Sequence, residues 1–311
     1  MKISEIMESM KINWIAGVLT FLYLVPAILC WGQHGHYATC KIAEEYHTEA
    51  AKAAVKESAK GELAAVCSWP DLPEIRKGYP WSSALHYTNT PDFICKFDYC
   101  RDCHDSANQK NRCVIGAMYN YTIQLESAYH NYGTQKKYNL TEALMFLSHF
   151  AGDVHQPLHV GFIGDLGGNT INVYWYNQST NLHHVWDTAI IDSGLERFYD
   201  SNLTTMIGTI LRNITDDWSN ETKFWEKCNH TVCPIPYASE SISLACKYAY
   251  RNATPGSHLK DDYFLSRLPV VEKRLAKGGI RLAATLNRIF DSQVTTENHK
   301  QKKIVKGFSS L

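Results

Sequence analysis

The longest apolar run of the chain lies at its start, from Trp14 to Cys30, behind a polar stretch carrying Lys2 and Lys11. It is short for a membrane span and broken by Pro26, and a basic start followed by an apolar middle reads as a signal peptide. The competing reading is an uncleaved anchor. Cleavage after Cys30 would make Trp31 the first residue of a protein with no later bilayer-spanning stretch and no membrane contact.

Beyond Trp31 the apolar positions recur mostly at helical spacing. Residues 40–60 read as an Ala-rich helix stopped by Gly61, and 66–105 as a long irregular segment rich in Pro, Asp, Trp and Cys. Residues 112–132 read as a helix closed by Gly133. Asn139, with Glu142 three positions on, has the logic of a capping box for a helix running through Phe150 toward Pro157. Residues 170–176 alternate like a strand between Gly167-Gly168 and an Asn-containing turn at 177–181. Helical stretches follow at 196–217, 237–251 and 260–291, the last interrupted at Pro269 and Gly278-Gly279. The expectation is an all-α fold with one small β-hairpin, a single domain of about 260 residues over 31–291. Residues 292–311 lack apolar periodicity and read as a flexible extension open to removal.

Composition changes this picture in two ways. The 31 basic and 31 acidic residues cancel, which removes the usual electrostatic basis for sequence-blind grip on duplex DNA. The chain is also rich in potential ligands and bridges, with 14 His and 10 Cys among 311 residues. Behind a signal peptide, Cys40, Cys67, Cys95, Cys103, Cys113, Cys228, Cys233 and Cys246 are expected to form disulfides. Cys100 makes the mature count odd, so one thiol is left free or pairs between molecules. Cys100 and Cys103 have zinc-knuckle spacing, but no second such pair follows, which favours disulfides. Connectivity stays open, with Cys228, Cys233 and Cys246 expected to pair locally. Eight N-glycosylation sequons support passage through the secretory pathway, and Asn120, Asn139 and Asn213 are singled out as modified positions.

The chemistry concentrates in Ser148–His159. His149 and Asp153 lie four apart on one helix face, and a third potential ligand, His159, follows the break at Pro157. A second such pair, His183 and Asp187, follows Asn181 as a helix cap, with His184 turned elsewhere. One isolated pair would be an ion pair or a core histidine. Two pairs with an added His favour metal ligation. No G-x-S-x-G or P-loop motif competes with it.

Taken with Trp31–His36, Trp69-Pro-Asp71, Leu85-His86-Tyr87 and Gly167-Gly-Asn169, these segments resemble the single-strand-specific, three-zinc nucleases of fungi and plants (the S-one/P-one type), the plant bifunctional nucleases above all. The resemblance runs from Trp31 to about residue 290 and implies a phospholipase C-like fold. It implies one zinc on Asp71, His86, His149 and Asp153, and a second on His159, His183 and Asp187. A third would use the amine and carbonyl of Trp31 with His36 and a bridging Asp153. Asp71 and Asp153 are then the catalytic carboxylates, and Tyr87 and Asn169 the candidate contacts to a nucleobase. The implied activity is hydrolysis of single-stranded DNA and RNA to 5′-phosphorylated products by metal-activated water, with 3′-nucleotidase activity, by a monomer of the extracellular space or vacuole. Alternatives are a zinc phospholipase C and a glycoprotein with structural zinc only. Glu74 stands where fungal relatives place a Lys, and the His159–Gly167 loop differs in length from theirs.

Overall fold

The computed structural model describes residues 31–130 and 138–291. The longer helices are α1 (Gln33–Glu45), α2 (Glu49–Ala59), α3 (Val114–His130) and α4 (Leu140–Asp153) in the first half. After a hairpin come α5 (Ile190–Phe198), α6 (Leu203–Thr215), α7 (Ser219–Trp225), α8 (Pro234–Leu244) and α9 (Asp261–Phe290). The region 66–105 is largely short helical turns, including Trp69–Asp71 and Pro80–Leu85. The fold is mostly helical, as the apolar spacing predicts. No helix among the described residues is long and apolar enough to cross a membrane.

Several boundaries differ from the sequence reading, each for a local reason. The single helix expected over 40–60 is two, because Thr48 caps a new start by accepting from Ala51 N at 3.3 Å, and Lys60, not Gly61, takes the left-handed position that ends it. The capping at Asn139 is as expected, its Oδ1 accepting from Glu142 N at 3.3 Å while its Nδ2 donates to Glu142 Oε1 at 2.7 Å. Gly133 lies outside the described residues. The stretch 196–217 is split between α5 and α6 by a turn at Asp200 and Ser201, both at positive φ.

The expected interruptions of the last helix are absent. Pro269 lies on the exposed side of α9, where water can serve the carbonyl its missing N–H leaves open. Gly278 and Gly279 are instead a docking surface. A Cβ on Gly279 would stand 2.5 Å from Ile42 Cγ2 and 2.9 Å from Thr39 O, so α9 and α1 approach closely only because both side chains are missing.

The hairpin is also more than expected. β1 (Asn172–Trp175) and β2 (Gln178–Asn181) pair in the register Asn172 with Asn181 and Trp175 with Gln178, and Tyr176 in the turn has φ of 54°. β3 (His258–Leu259) adds to β1 in parallel, giving a three-stranded sheet ordered β2-β1-β3. Two residues are too few to show a period, which is why this strand was invisible in the sequence.

Disulfides join Cys40–Cys67, Cys95–Cys246, Cys103–Cys113 and Cys228–Cys233, with Cys100 free and exposed. The local pairing expected for Cys228 and Cys233 is found. Cys246 departs from it, reaching Cys95 across 151 residues because the helical stretch 234–249 packs on the turn Pro157–Val160, whose backbone pairs with Thr88 and Thr90 just before Cys95. Chain-entropy reasoning assigns about 5 kcal/mol to a loop of that length and about 2 kcal/mol to the five-residue Cys228–Cys233 loop. Replacing Cys95 and Cys246 by Ser should therefore lower unfolding free energy in urea by clearly more than replacing Cys228 and Cys233. Equal losses would contradict this ranking.

Candidate metal centre

Six elements deliver the candidate ligands to one place. α1 carries His36, the turn ending at Asp71 carries that carboxylate, and His86 follows the turn Pro80–Leu85. The last turn of α4 carries His149 and Asp153, and the turn Pro157–Val160 carries His159. His183 and Asp187 lie where Asn181 caps a helical turn, its Oδ1 accepting from His184 N at 2.8 Å. Backbone bonds hold two of these segments together, since Thr88 N donates to His159 O and Thr90 N to Gly161 O, each at 2.8 Å.

Three groups of side chains result, each with ligand atoms close enough to share an ion: His36, Asp71 and His149; His86, His149 and Asp153; His159, His183 and Asp187. The Asp153 carboxylate is completely buried and works on both sides. Its Oδ2 lies 3.0 Å from His86 Nδ1 and 3.3 Å from His149 Nε2. Its Oδ1 lies 3.3 Å from His36 Nε2 and 3.5 Å from His159 Nδ1. His149 Nε2 is also 3.3 Å from Asp71 Oδ1, and His183 Nε2 is 3.2 Å from Asp187 Oδ2.

These spacings fit a metal ion. Nitrogen and oxygen ligands about 2.0–2.2 Å from a tetrahedral cation stand about 3.4 Å from one another. The imidazoles are also pre-oriented. His149 Nδ1 meets Cys67 O at 2.8 Å, His159 Nδ1 meets His86 O at 2.8 Å, and His183 Nδ1 meets Gly167 O at 2.6 Å. A carbonyl only accepts, so in each ring the Nδ1 carries a proton and the Nε2, the ligating nitrogen once its own proton is off, is turned into the cluster. His159 Nε2, His183 Nε2, Asp153 Oδ1 and Asp187 Oδ2 are buried with no hydrogen-bond partner, a cost that a cation removes.

The electrostatics point the same way. Burial would raise Asp153, but the imidazoles around it, His149 foremost, hold it well below the usual carboxylate range. Burial lowers His36, and lowers His86 to about 4 despite Asp153 beside it. Burial would lower His149 too, yet the Asp153 and Asp71 carboxylates raise it to about 10. Without a cation the two carboxylates thus keep a proton on His149; a metal ion replaces that charge.

Trp31 is fully buried beside these groups. Its Nε1 donates to Gly152 O at 2.8 Å, and Gly32 N donates to Asp187 O at 2.9 Å. Gly152 has to be small here, since a Cβ would come within 2.8 Å of His36 Nδ1.

Next to His183 and Asp187 lies an open cavity of about 310 Å³ with a wall of amides and hydroxyls, including Asn169, Asn172, Thr180 and Asn181. Asn169 is held there by donating from Nδ2 to Leu166 O at 2.8 Å. His184 lines the same cavity and stays out of the clusters. Tyr87 is half-buried beside Asp105 and forms no part of that wall.

Two residues near the ligands carry no signal in spacing. Arg76 reaches Asp71, its Nη2 donating to Oδ1 at 2.6 Å, because Pro73 starts a short helix that presents the fifth residue after Asp71. Glu74, on the same turn, is exposed. Gln156 is fully buried and donates to Asp187 Oδ1 at 2.5 Å. A Gln beside a Pro reads as an ordinary turn.

A disulfide-stapled helical domain in which buried imidazoles and carboxylates converge beneath an open polar cleft defines a hydrolase class built on metal-competent clusters. The comparison with known proteins makes the class specific. The S1/P1 Nuclease family model matches residues 31–291, and the chain belongs to that family. It is 61% identical over 293 residues to Endonuclease 4 of Arabidopsis thaliana, covering 92% of this chain and 98% of that protein. Endonuclease 3 of the same plant is 59% identical over 288 residues, covering 90% of this chain and 96% of its own length. Nuclease P1 of Penicillium citrinum is 31% identical over 279 residues, covering 85% of this chain and 99% of that protein. The protein is therefore a nuclease, a hydrolase of phosphodiester bonds.

Asp153→Asn keeps the shape and removes the shared charge. It should reduce nucleic-acid hydrolysis roughly 10⁴-fold, the scale expected when a catalytic carboxylate is lost, and should lower metal content while leaving the helical circular dichroism unchanged. Unaltered metal content would count against the sharing. Because metal uptake must displace the proton from His149, whose pKa is raised to about 10, binding should release protons and strengthen as pH rises toward that value. Proton release in weakly buffered solution checks the sign.

Proposed function

We propose that the protein is a secreted, zinc-dependent endonuclease that holds three zinc ions and cleaves single-stranded DNA and RNA to 5′-phosphorylated products, with 3′-nucleotidase activity. The observation that carries this reading is the buried Asp153 carboxylate, whose two oxygens face separate sets of imidazoles. The donor set is all nitrogen and oxygen, which suits zinc in a hydrolytic site. Asp71, His86, His149 and Asp153 would hold one ion and His159, His183 and Asp187 a second. His36, Asp153 and the amine and carbonyl of Trp31 would hold the third.

When bound, such ions supply Lewis acidity toward phosphate and lower the pKa of water to near neutrality. The protein's own part is positional. The carbonyls of Cys67, His86 and Gly167 hold three rings in the ligating tautomer, and Arg76 holds one oxygen of Asp71. Asn169 and its neighbours offer a nucleotide amides and hydroxyls beside the second cluster. Positive charge concentrated on the ions also reconciles a net charge of zero with a polyanionic substrate.

The Trp31 ligand requires a free α-amine, so removal of residues 1–30 becomes part of the chemistry. Four disulfides among the described residues fit an oxidising destination such as the extracellular space or vacuole. Of the sequons singled out, Asn120 and Asn213 are partly exposed on α3 and α6, and Asn139 is the cap of α4.

The test is a comparison of the mature chain beginning at Trp31 with the same chain carrying one extra Ala before it. The mature form should contain three zinc ions, release 5′-phosphorylated nucleotides from single strands in preference to duplex, and dephosphorylate 3′-nucleotides. The extended form should lose one ion and most of its activity. Full activity and zinc content with the extra residue would overturn the third site, and release of phosphocholine from lipid by the mature form would redirect the reading to a phospholipase.

A further inference from the structure

Between Asp153 and His159 the chain makes a tight turn with Gln156 at its centre, and both ends of that buried carboxamide are in use. Its Oε1 accepts from Leu158 N at 2.5 Å, and its Nε2 donates to Asp187 Oδ1 at 2.5 Å. Chemistry sets this orientation. Turning the amide over would place N–H against N–H and oxygen against carboxylate, so only one arrangement satisfies both neighbours.

The two oxygens of Asp187 are thereby made unequal. Oδ1 accepts from Gln156 and lies 3.5 Å from His159 Nε2, while buried Oδ2 has no hydrogen bond and lies 3.2 Å from His183 Nε2. The turn is also braced from behind. Ser241 Oγ donates to Val154 O at 2.5 Å, and Arg274 Nε donates to His155 O at 2.8 Å. Arg274 is itself buried and held by Glu240 Oε2 at 2.7 Å from its Nη1. Gln156 is therefore carried on a rigid backbone.

We propose that Gln156 is a positioning residue for the His159–His183–Asp187 cluster. By taking up one lone pair of Asp187 Oδ1 it fixes the rotation of that carboxylate and leaves Oδ2 as its unshared oxygen, and it sets the distance between Asp187 and the turn that bears His159. The proposal rests on the metal-centre reading above. It also carries a selectivity, because the Gln156 carboxamide bonds only Leu158 and Asp187, and the one link to the residues grouped around His86 runs from its backbone N to Asp153 O at 3.0 Å, which a side-chain change leaves in place. Contacts that orient ligands in this way contribute roughly 10- to 100-fold in metal affinity.

The experiment dialyses the mature wild type, Gln156→Met and Gln156→Asn against graded chelator and measures metal content per chain. Met fills a similar volume without polar ends, and Asn keeps an amide too short to reach both partners. In Gln156→Met one equivalent should leave at a chelator concentration about tenfold or more below the wild-type value, with the remaining equivalents unmoved. Gln156→Asn should fall between, and serves alone if Gln156→Met does not fold. Melting temperatures of the stripped proteins should agree more closely than those of the loaded ones, which a purely structural role would not produce. Unchanged release, or equal weakening of all equivalents, overturns the proposal while leaving the metal centre standing. A wild type that retains no metal after loading overturns the metal centre as well.

Discussion

Everything in this molecule is arranged around the cost of burying carboxylates. Asp153 and Asp187 are removed from water altogether and Asp71 nearly so, in an interior where an uncompensated charge of that kind costs several kcal/mol. The compensation is five imidazoles, and three of their rings, His149, His159 and His183, are placed by hydrogen bonds to backbone carbonyls, which cannot rotate away. This explains why helices of ordinary amphipathic character are held so closely together. The glycine pair on α9 brings α1 within van der Waals contact, and α1 carries His36 to Asp153. A looser bundle would have a similar core and a different spacing of donors.

A second layer of charge stands behind the first. Arg274 and Arg281 are nearly fully buried on α9, and both bond Glu240. Burial would raise the Glu240 carboxyl, but Arg281 and Arg274 hold it far below its usual range. The pair bonds the backbone and the ring of His155, so α9 braces the turn that links the two ligand-bearing stretches. His155 lies between ligands in sequence and faces away from them in space, buried against Arg281 and Tyr237 with its pKa pushed well down by burial and then by Arg274.

Much of this was legible in the sequence where a residue's role is local. The i, i+4 spacing of His149 with Asp153 and of His183 with Asp187 puts each pair on one helix face, and Asn139 and Asn181 mark helix starts through their own side chains. What escaped depends on contacts distant in sequence. Cys246 reaches Cys95, β3 joins β1, and Arg76 turns back onto Asp71. Pro269 and the Gly278-Gly279 pair misled for the opposite reason, since their meaning as breakers is overridden by an exposed carbonyl in one case and a helix contact in the other. Gln156 had no visible signal because its two partners are a backbone N–H and a carboxylate 31 residues away.

The carbonyl that orients His149 belongs to Cys67, and Cys67 is half of a disulfide with Cys40 on α1. Oxidation state and ligand geometry thus meet in one residue. In a reducing compartment the acceptor of the His149 proton would be tethered only by its neighbours in the chain, while in an oxidising one it is bolted to the helix that supplies His36. A nuclease so built couples sulfur chemistry to ligand geometry, since loss of the Cys40–Cys67 bond would loosen the carbonyl that sets His149 and the helix that carries His36 together.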